Sequence, residues 1–445
     1  MTESTDAVKI ADQALRIAKL VAPSADVQVN VHESSEGNIR FALGVVQSCG
    51  EESELGVNIR MVFGKRSASA SSNQTDEESL RSLAERVASM AKSSPEDPEI
   101  MPLLGPQKYA QAPIAFDPAI TTVTSASRTG VPAAANHIFS ESGLVGAGFF
   151  EYAASEYSVA NSSGLRASSR ETSLGLQMTA RTPDGAGSGS ARGESHLVSG
   201  IDAVACAKVA AKKAKQSAHP KTLEPGHYTV VLEPPAVAEL LGFLFNSLDA
   251  RSIDEGRSAL SRHGGASPLG ELIASPIVTL RSNPADPDMP CAPFDGEGLP
   301  REPIVWVENG ALKSLSYSRY WAAKQGKKPT SMGGWHLTGG VAESTDELVK
   351  GVKRGLLVTR FWYTRHLDPQ KGLITGLTRD GVLLIENGEI VGPVNNFRFN
   401  ESPFNMLKNC DAMTRKTTRV SSFFLTCVPA IRTNSFNMAS ISVAI

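Results

Sequence analysis

The chain has 445 residues, 41% of them hydrophobic and 20% charged, with a formal net charge of −2. That length allows about two or three domains with a sizeable core, and the charge balance argues against nucleic-acid binding driven by bulk charge. The longest apolar run, 237–245, is interrupted by Glu239 and is too short to cross a membrane.

From the start of the chain, residues 6–21 place Val8, Ala11, Leu15 and Ala18 on one helical stripe. The preceding residues are polar and do not read as a signal peptide. Val27, Val29 and Val31 alternate with polar residues as in a strand, and strands also fit 38–47 and 55–64. Thr75 can cap a helix over 76–92 that carries acids in its first turn. The first segment, 1–94, therefore reads as an N-terminal α/β domain. Prolines 95, 98, 102, 106, 113 and 118 punctuate the next stretch, and 95–116 reads as a linker. A middle α+β domain spans 117–222. It opens with a helix, continues with strands over 147–160, 164–181 and 187–196, and closes with a helix over 201–217. Gly185, Gly187 and Gly189 form a turn there, not a phosphate loop, because no Lys-Ser/Thr comes after them. A strand over 227–232 leads through Pro234 and Pro235 into a helix over 235–248, and the rest of 223–445 is strand and turn. The fold class is α+β with a strand-rich C-terminal domain.

No pair of the eight histidines has HxH, HxxxH or HExxH spacing, and no serine lies in GxSxG. Five dispersed cysteines without CxxC suit a reducing cytoplasm. In 294–300, FDGEGLP, Asp295 and Glu297 would share a face if extended and could serve metal or acid–base chemistry. The alternative is a Gly-rich turn whose acids accept backbone N–H bonds. The most informative stretch is 355–402. It carries Thr359-Arg360 and Thr378-Arg379-Asp380, with Tyr363, Arg365 and Arg398 alongside. Arginine forks there could grip a peptide's carboxylates or pair internally with Asp295, Glu297, Asp368 and Asp380. Trp335, Trp362, Tyr363, Phe397 and Phe399 could line an apolar groove or simply pack a core.

Several pieces of the chain resemble the TldD/PmbA family, also called modulators of DNA gyrase, and among its branches the PmbA (TldE) one. They are NSSGLRASSRETS (161–173), LEPGHYTVVLEPPAVAELL (223–241), DEGRSAL (254–260), FDGEGLPRE (294–302), GLLVTRFWYTRHLDP (355–369), TGLTRDGVLLIENGEIVGPVNNFRFNES (375–402) and VPAIRTNSF (428–436). The resemblance covers nearly the whole chain and implies a TldD/PmbA-like fold and a peptidase system of two related subunits. The TldD-type subunit carries HExxxH on the helix after a VVL strand and holds zinc with a downstream cysteine. At the matching place this chain has Gly242, Phe243 and Ser247, so both histidines and the acid are replaced. Neither Cys427 nor Cys410 falls well on the cysteine position.

The resemblance therefore implies a subunit with no catalytic residue and no metal of its own, zinc being expected on a TldD-like partner. It would complete a chamber around unfolded peptides, in the cytoplasm, as part of a dimer, with no nucleic-acid or membrane partner. Asp295, Glu297, Thr359, Arg360, Tyr363, Arg365, Thr378, Arg379, Asp380 and Arg398 would form its substrate-facing or structural framework. Two alternatives stand beside this expectation. One is a metallopeptidase active alone through ligands such as His263, His336, Asp295 and Glu297. The other is a homodimeric peptide-binding or scaffold protein.

Overall fold

The structure is a computed structural model that describes residues 6–110 and 115–442. The first residues of the polar N-terminal run and Pro113 in the expected linker therefore lie outside the described residues.

Helix α1 (Asp6–Val21) follows the predicted stripe and buries Ala7, Ala11, Leu15 and Ala18. Strand β1 (Asp26–Ala42) is a single 17-residue strand. It pairs antiparallel with β2 (Val45–Phe63), and β3 (Arg66–Ser72) pairs in turn with β2. The segment 38–47, predicted as one strand, instead straddles the hairpin turn between β1 and β2. Leu43 and Gly44 both take left-handed φ, 54° and 80°, as such a tight two-residue connection requires. Helix α2 (Glu77–Ser93) is capped by Asp76, not by Thr75: the Asp76 carboxylate accepts from Ser79 N at 2.9 Å.

After the Pro-rich segment come the short α3 (Ser125–Arg128) and α4 (Gly130–Glu141), then β4 (Val145–Asn161), β5 (Arg166–Arg181), β6 (Ser188–Ser195) and α5 (Ala203–Gln216). β4 returns to pair with β1 from Gln28↔Asn161 to Ala42↔Ala147. One six-stranded antiparallel sheet, in the order β3-β2-β1-β4-β5-β6, thus joins the segments on either side of the Pro-rich stretch. Odd-numbered residues of β1 point to one face along its whole length. Val27, Val29 and Val31 pack under α1 and α2, while Ile39 and Phe41 pack under α4 and α5. The glycines of 185–189 divide their work. Gly185 turns the chain at φ 75°, and a Cβ on Gly189 would lie 2.3 Å from Ala214 N, so its absence lets α5 lie on the strand.

The C-terminal portion holds β7 (Gly226–Leu232), α6 (Pro234–Leu244), α7 (Ala250–Asp254) and twelve further strands: β8 (Thr279–Ser282), β9 (Ile304–Glu308), β10 (Ala311–Leu312), β11 (Trp335–Thr338), β12 (Arg354–Asp368), β13 (Leu373–Glu386), β14 (Glu389–Val394), β15 (Asn396–Glu401), β16 (Cys410–Met413), β17 (Thr418–Ser421), β18 (Leu425–Val428) and β19 (Ile431–Ser442). β12 pairs with both β7 and β13, so β12-β7-β19-β15-β13 closes on itself as a five-stranded ring. Closure covers β12 over 355–358 on both sides, while β14 stays an outer strand and β12 beyond Val358 is open on its β7 side; the interior is packed with Val230, Leu356, Phe361, Phe397, Phe399 and Phe436. A second sheet, β10-β9-β8-β11-β18-β17, carries the buried Trp306 and Trp335. Trp335, Phe397 and Phe399 are therefore core residues, whereas Trp362 and Tyr363 are exposed. No described helix is long and apolar enough to cross a membrane.

Candidate functional site

Helix α6 runs straight out of β7. Glu233 takes an extended N-cap conformation, and two prolines fill the first helical positions, where no N–H is needed. From Ala236 to Leu244 every residue except Glu239 is buried. The predicted helix 235–248 ends as α-helix at Leu244 and finishes as a 3-10 turn over Phe245–Leu248. The helix packs against β12, β17 and β18, so its residues meet the ends of three strands from two sheets.

Glu239 and Phe243 are four apart and share one face of α6. Glu239 accepts a hydrogen bond from Thr364 Oγ1 of β12 and one of 2.5 Å from Ser422 Oγ. Phe243 packs edge-on against two rings, His366 at 4.9 Å and Phe423 at 4.8 Å between centroids. Phe423 also lies against the helix backbone: a Cβ on Gly242 would be 2.2 Å from its Cδ2. Ser247 is buried, and its carbonyl accepts from Ser258 Oγ at 2.7 Å. The three places where the resemblance locates a metal motif thus hold a bare backbone, an aromatic ring and a buried hydroxyl. The Phe423 ring packs across Gly242 and Phe243. This donor set does not fit a zinc ion.

The strand pair β12–β13 carries most of the other predicted residues and divides them between two settings. In the first, Asp380 and Gly381 form a bulge opposite Thr359, with φ 58° and 112°. Asp380 is 1% exposed and accepts from Arg360 Nε at 2.5 Å and from Ser188 Oγ of β6 at 2.5 Å. Arg360 therefore pairs internally, and the pair ties the ring to the first sheet. Thr378 is fully buried, its hydroxyl donating to Asn396 Oδ1 at 3.0 Å and accepting from Phe397 N at 2.9 Å. Arg398 reaches Thr375 Oγ1 at 3.3 Å. In the second setting, nearer α6, a bulge between Trp362 and Arg365 puts Tyr363 at φ 58°, and its ring is 62% exposed. Two arginine–aromatic stacks stand there: Arg379 over Trp362 at 4.0 Å and Arg365 over Tyr363 at 4.9 Å. Burial lowers the Arg379 guanidinium, with Asp380 opposing the shift.

Asp295 and Glu297 lie elsewhere. Asp295 Oδ1 accepts from the backbone N–H of Glu297 and Leu299 at 2.9 and 3.0 Å, which makes a Gly-rich turn. Glu297 pairs with Arg319 at 2.7 Å, and Asp368 with Lys371 at 2.9 Å. The turn is latched to the first sheet, because Gln28 and Asn30 side chains both donate to Gly296 O, at 3.0 and 2.7 Å. His263, His336, Asp295 and Glu297 do not converge. Among the described residues, one group brings three metal-ligating types together, namely Asp286, Asp288 and His336. His336 already uses Nδ1 on Asp286 (2.8 Å) and Nε2 on Thr417 (3.2 Å).

Sequence reasoning assigned no role at the site to Phe423 or Glu239. Their only sequence signals are a double phenylalanine in a polar run and one acid in an apolar helix, and neither announces that they meet beside α6.

Residues 225–440 match the model of the PmbA/TldA metallopeptidase C-terminal domain, and 27–91 match that of PmbA/TldA metallopeptidase domain 1, together more than half of the chain. The chain belongs to the PmbA/TldD family. It is 29% identical over 205 residues to a metalloprotease of Methanothermobacter thermautotrophicus, and the alignment covers 42% of this chain and 43% of that protein. It is 43% identical over 58 residues to a metalloprotease of Archaeoglobus fulgidus, covering 13% of this chain and 14% of that one. Both alignments therefore span less than half of the relatives' length. The whole fold is similar to that of TldE from Thermococcus kodakarensis, with a TM-score of 0.85 at 19% identity over 97% of this chain and 100% of the other. It is also similar to a proposed modulator of a DNA gyrase from Thermotoga maritima, with a TM-score of 0.84 at 19% identity over 96% and 99% of the two chains.

Proposed function

We propose that this chain is a non-catalytic, PmbA/TldE-like subunit of a TldD-type zinc metallopeptidase complex that acts on unfolded peptides in maturation or degradation. The observation that carries the reading is the replaced metal motif on α6. Gly242, Phe243 and Ser247 offer no ligand set, and the Phe423 ring, 57% exposed, lies against the first two of them. The zinc would be held by a TldD-like partner.

What this chain contributes is surface and shape. The exposed end of β12, with Trp362, Tyr363 and their stacked arginines, offers flat aromatic area and fixed positive charge beside α6. Such a surface suits an extended peptide, whose backbone adds to a strand while its carboxylates meet guanidinium groups. The buried Arg360–Asp380 pair and Thr378 are the framework that holds that end of the ring in place.

The test is to purify the chain alone and with a TldD-like subunit from the same genome. The expected result is no stoichiometric zinc and no peptidase activity alone, with a stable complex and activity on mixing. Stoichiometric zinc on the isolated chain would overturn the reading. A self-dimer that ignores every TldD-like subunit would favour a homodimeric scaffold.

A further inference from the structure

A cavity of about 500 Å³ lies where the first sheet meets the FDGEGLP turn, away from α6. Its walls come from β1 to β5 on one side and from residues 292–301 on the other. That volume falls within the range of small-molecule sites.

Much of its polar lining is already committed. Gly296 O accepts from Gln28 and Asn30, Asp295 serves its own turn, and Asn58 Nδ2 donates to Ser71 Oγ at 3.0 Å. Three groups stand out from this pattern. The His32 ring stacks on Tyr157 at 4.5 Å, and its Nε2 is buried with no partner among the described residues. Arg301 is anchored through Nη1 to Ala292 O at 2.7 Å, yet its Nε is buried without a partner among the described residues. The Glu171 carboxylate, on β5, forms no hydrogen bond or ion pair among the described residues although Arg301 lines the same cavity. A guanidinium and a carboxylate in one half-buried space usually close on each other, because unpaired buried charge is costly. Here they form no ion pair, and Arg301 is spent in part on Ala292 O. Burial accordingly raises the Glu171 carboxyl, with Arg301, Arg419 and His32 opposing the rise. Phe294, Val31 and Val159 supply apolar wall to the same cavity.

We propose that this cavity binds a small zwitterion of the α-amino-acid type, with its ammonium on Glu171, its carboxylate on Arg301 and His32, and a small apolar side chain against Phe294. The two unpaired charges define the ligand: it must carry both signs, and each end completes a hydrogen-bonding group that the fold leaves open. A free amino acid and a short peptide share this chemistry. The site belongs to this chain alone and needs no peptidase partner, so it stands or falls separately from the subunit reading.

The experiment is calorimetric titration of the full chain at neutral pH with L-alanine, L-alanyl-L-alanine, and each of these blocked by N-acetylation or by C-terminal amidation. Saturable binding of one or both unblocked compounds is expected, and which of them binds identifies the source. Each blocking group should weaken binding by about tenfold or more, the loss of one charge-assisted contact. Glu171→Gln, close to isosteric, should do the same, and Arg301→Gln should match the effect of amidation. Absence of saturable binding by either unblocked compound overturns the proposal. So does saturable binding of the unblocked dipeptide that neither blocking group weakens, or of L-alanine that N-acetyl-L-alanine and L-alaninamide match, which wild-type protein alone reveals even if a variant fails to fold.

Discussion

Replacing Asp380 by asparagine isolates one charge at the join between the ring and the first sheet. Asparagine tolerates the left-handed φ of 58° at this position, so the bulge can persist while the charge goes. What remains is the Arg360 guanidinium, 19% exposed, facing a neutral amide. Removing one member of a buried pair costs about 3–5 kcal/mol, and partial solvent access with a surviving amide acceptor brings the expected loss to about 2–3 kcal/mol. Asp380→Ala also loses the acceptor for Ser188 and adds left-handed strain, for about 4 kcal/mol in all. Ser188→Ala alone should cost about 1 kcal/mol. Urea unfolding at neutral pH measures all three as midpoint shifts at unchanged slope. A loss below about 0.5 kcal/mol for Asp380→Asn, or an alanine variant no worse than the asparagine one, would refute the reasoning.

The packing sets three further outcomes. Burial raises the Glu151 carboxyl above its ordinary value of 4.5, with Glu36 and Glu194 adding to the rise and Arg192 opposing it. The folded state then prefers the protonated form, so this group's contribution falls as pH rises from 4.5 through the raised folded value and is level above it. Glu151→Gln should therefore be the more stable protein at about pH 7, with the advantage shrinking as pH falls through the raised folded value and gone below about pH 4, as thermal melts across pH would register. Burial pushes the Cys410 and Cys427 thiols up to about 12, whereas Cys49 is exposed, so a thiol reagent should label Cys49 quickly and those two only on unfolding. Mass spectrometry of labelled protein checks the order. Finally, Gly242→Ala should stabilise by about 1 kcal/mol in a Phe423→Ala background and by less with Phe423 present, because the ring must first move aside. Equal effects in the two backgrounds would show that the ring does not rest on the helix.

Much of the fold was legible because periodicity is a local signal. The stripe through Ala11, Leu15 and Ala18 and the alternation of Val57, Ile59 and Met61 report which face is buried; the helix is where it was predicted, and the strand predicted over 55–64 is the second half of the longer β2. The hairpin at Leu43–Gly44 was not legible, because Val45 to Ser48 on its return strand are exposed and give no alternation to mark a new start. Asp76 took the cap from Thr75 by one position, a choice set by backbone geometry that both residue types could satisfy. At the candidate site, the replacement of metal ligands at Gly242, Phe243 and Ser247 could be read residue by residue. The ring packed across them could not: Phe423 reaches Gly242 from about 180 residues further along the chain, and no spacing encodes that contact. The same holds for Glu171 and Arg301, whose shared cavity exists only once β5 and the FDGEGLP turn are brought together.

The single sheet formed by β1 and β4 also sets a schedule for synthesis. β1 pairs on one side with β2, its neighbour in the chain, but on the other with β4, as in Val29↔Ala160. At about 5–20 residues per second, a ribosome would hold one long flank of β1 unpaired for on the order of ten seconds before β4 emerged. For that interval the nascent chain is a hairpin with a free templating edge, the state from which intermolecular strand pairing begins. The polar and charged residues His32, Glu33, Glu36 and Arg40 along that strand then act as guards of an unfinished protein, a duty distinct from any they have in the finished one. A fragment ending in the Pro-rich segment would keep that edge open permanently, so the two halves of the sheet should be expressed together to remain in solution.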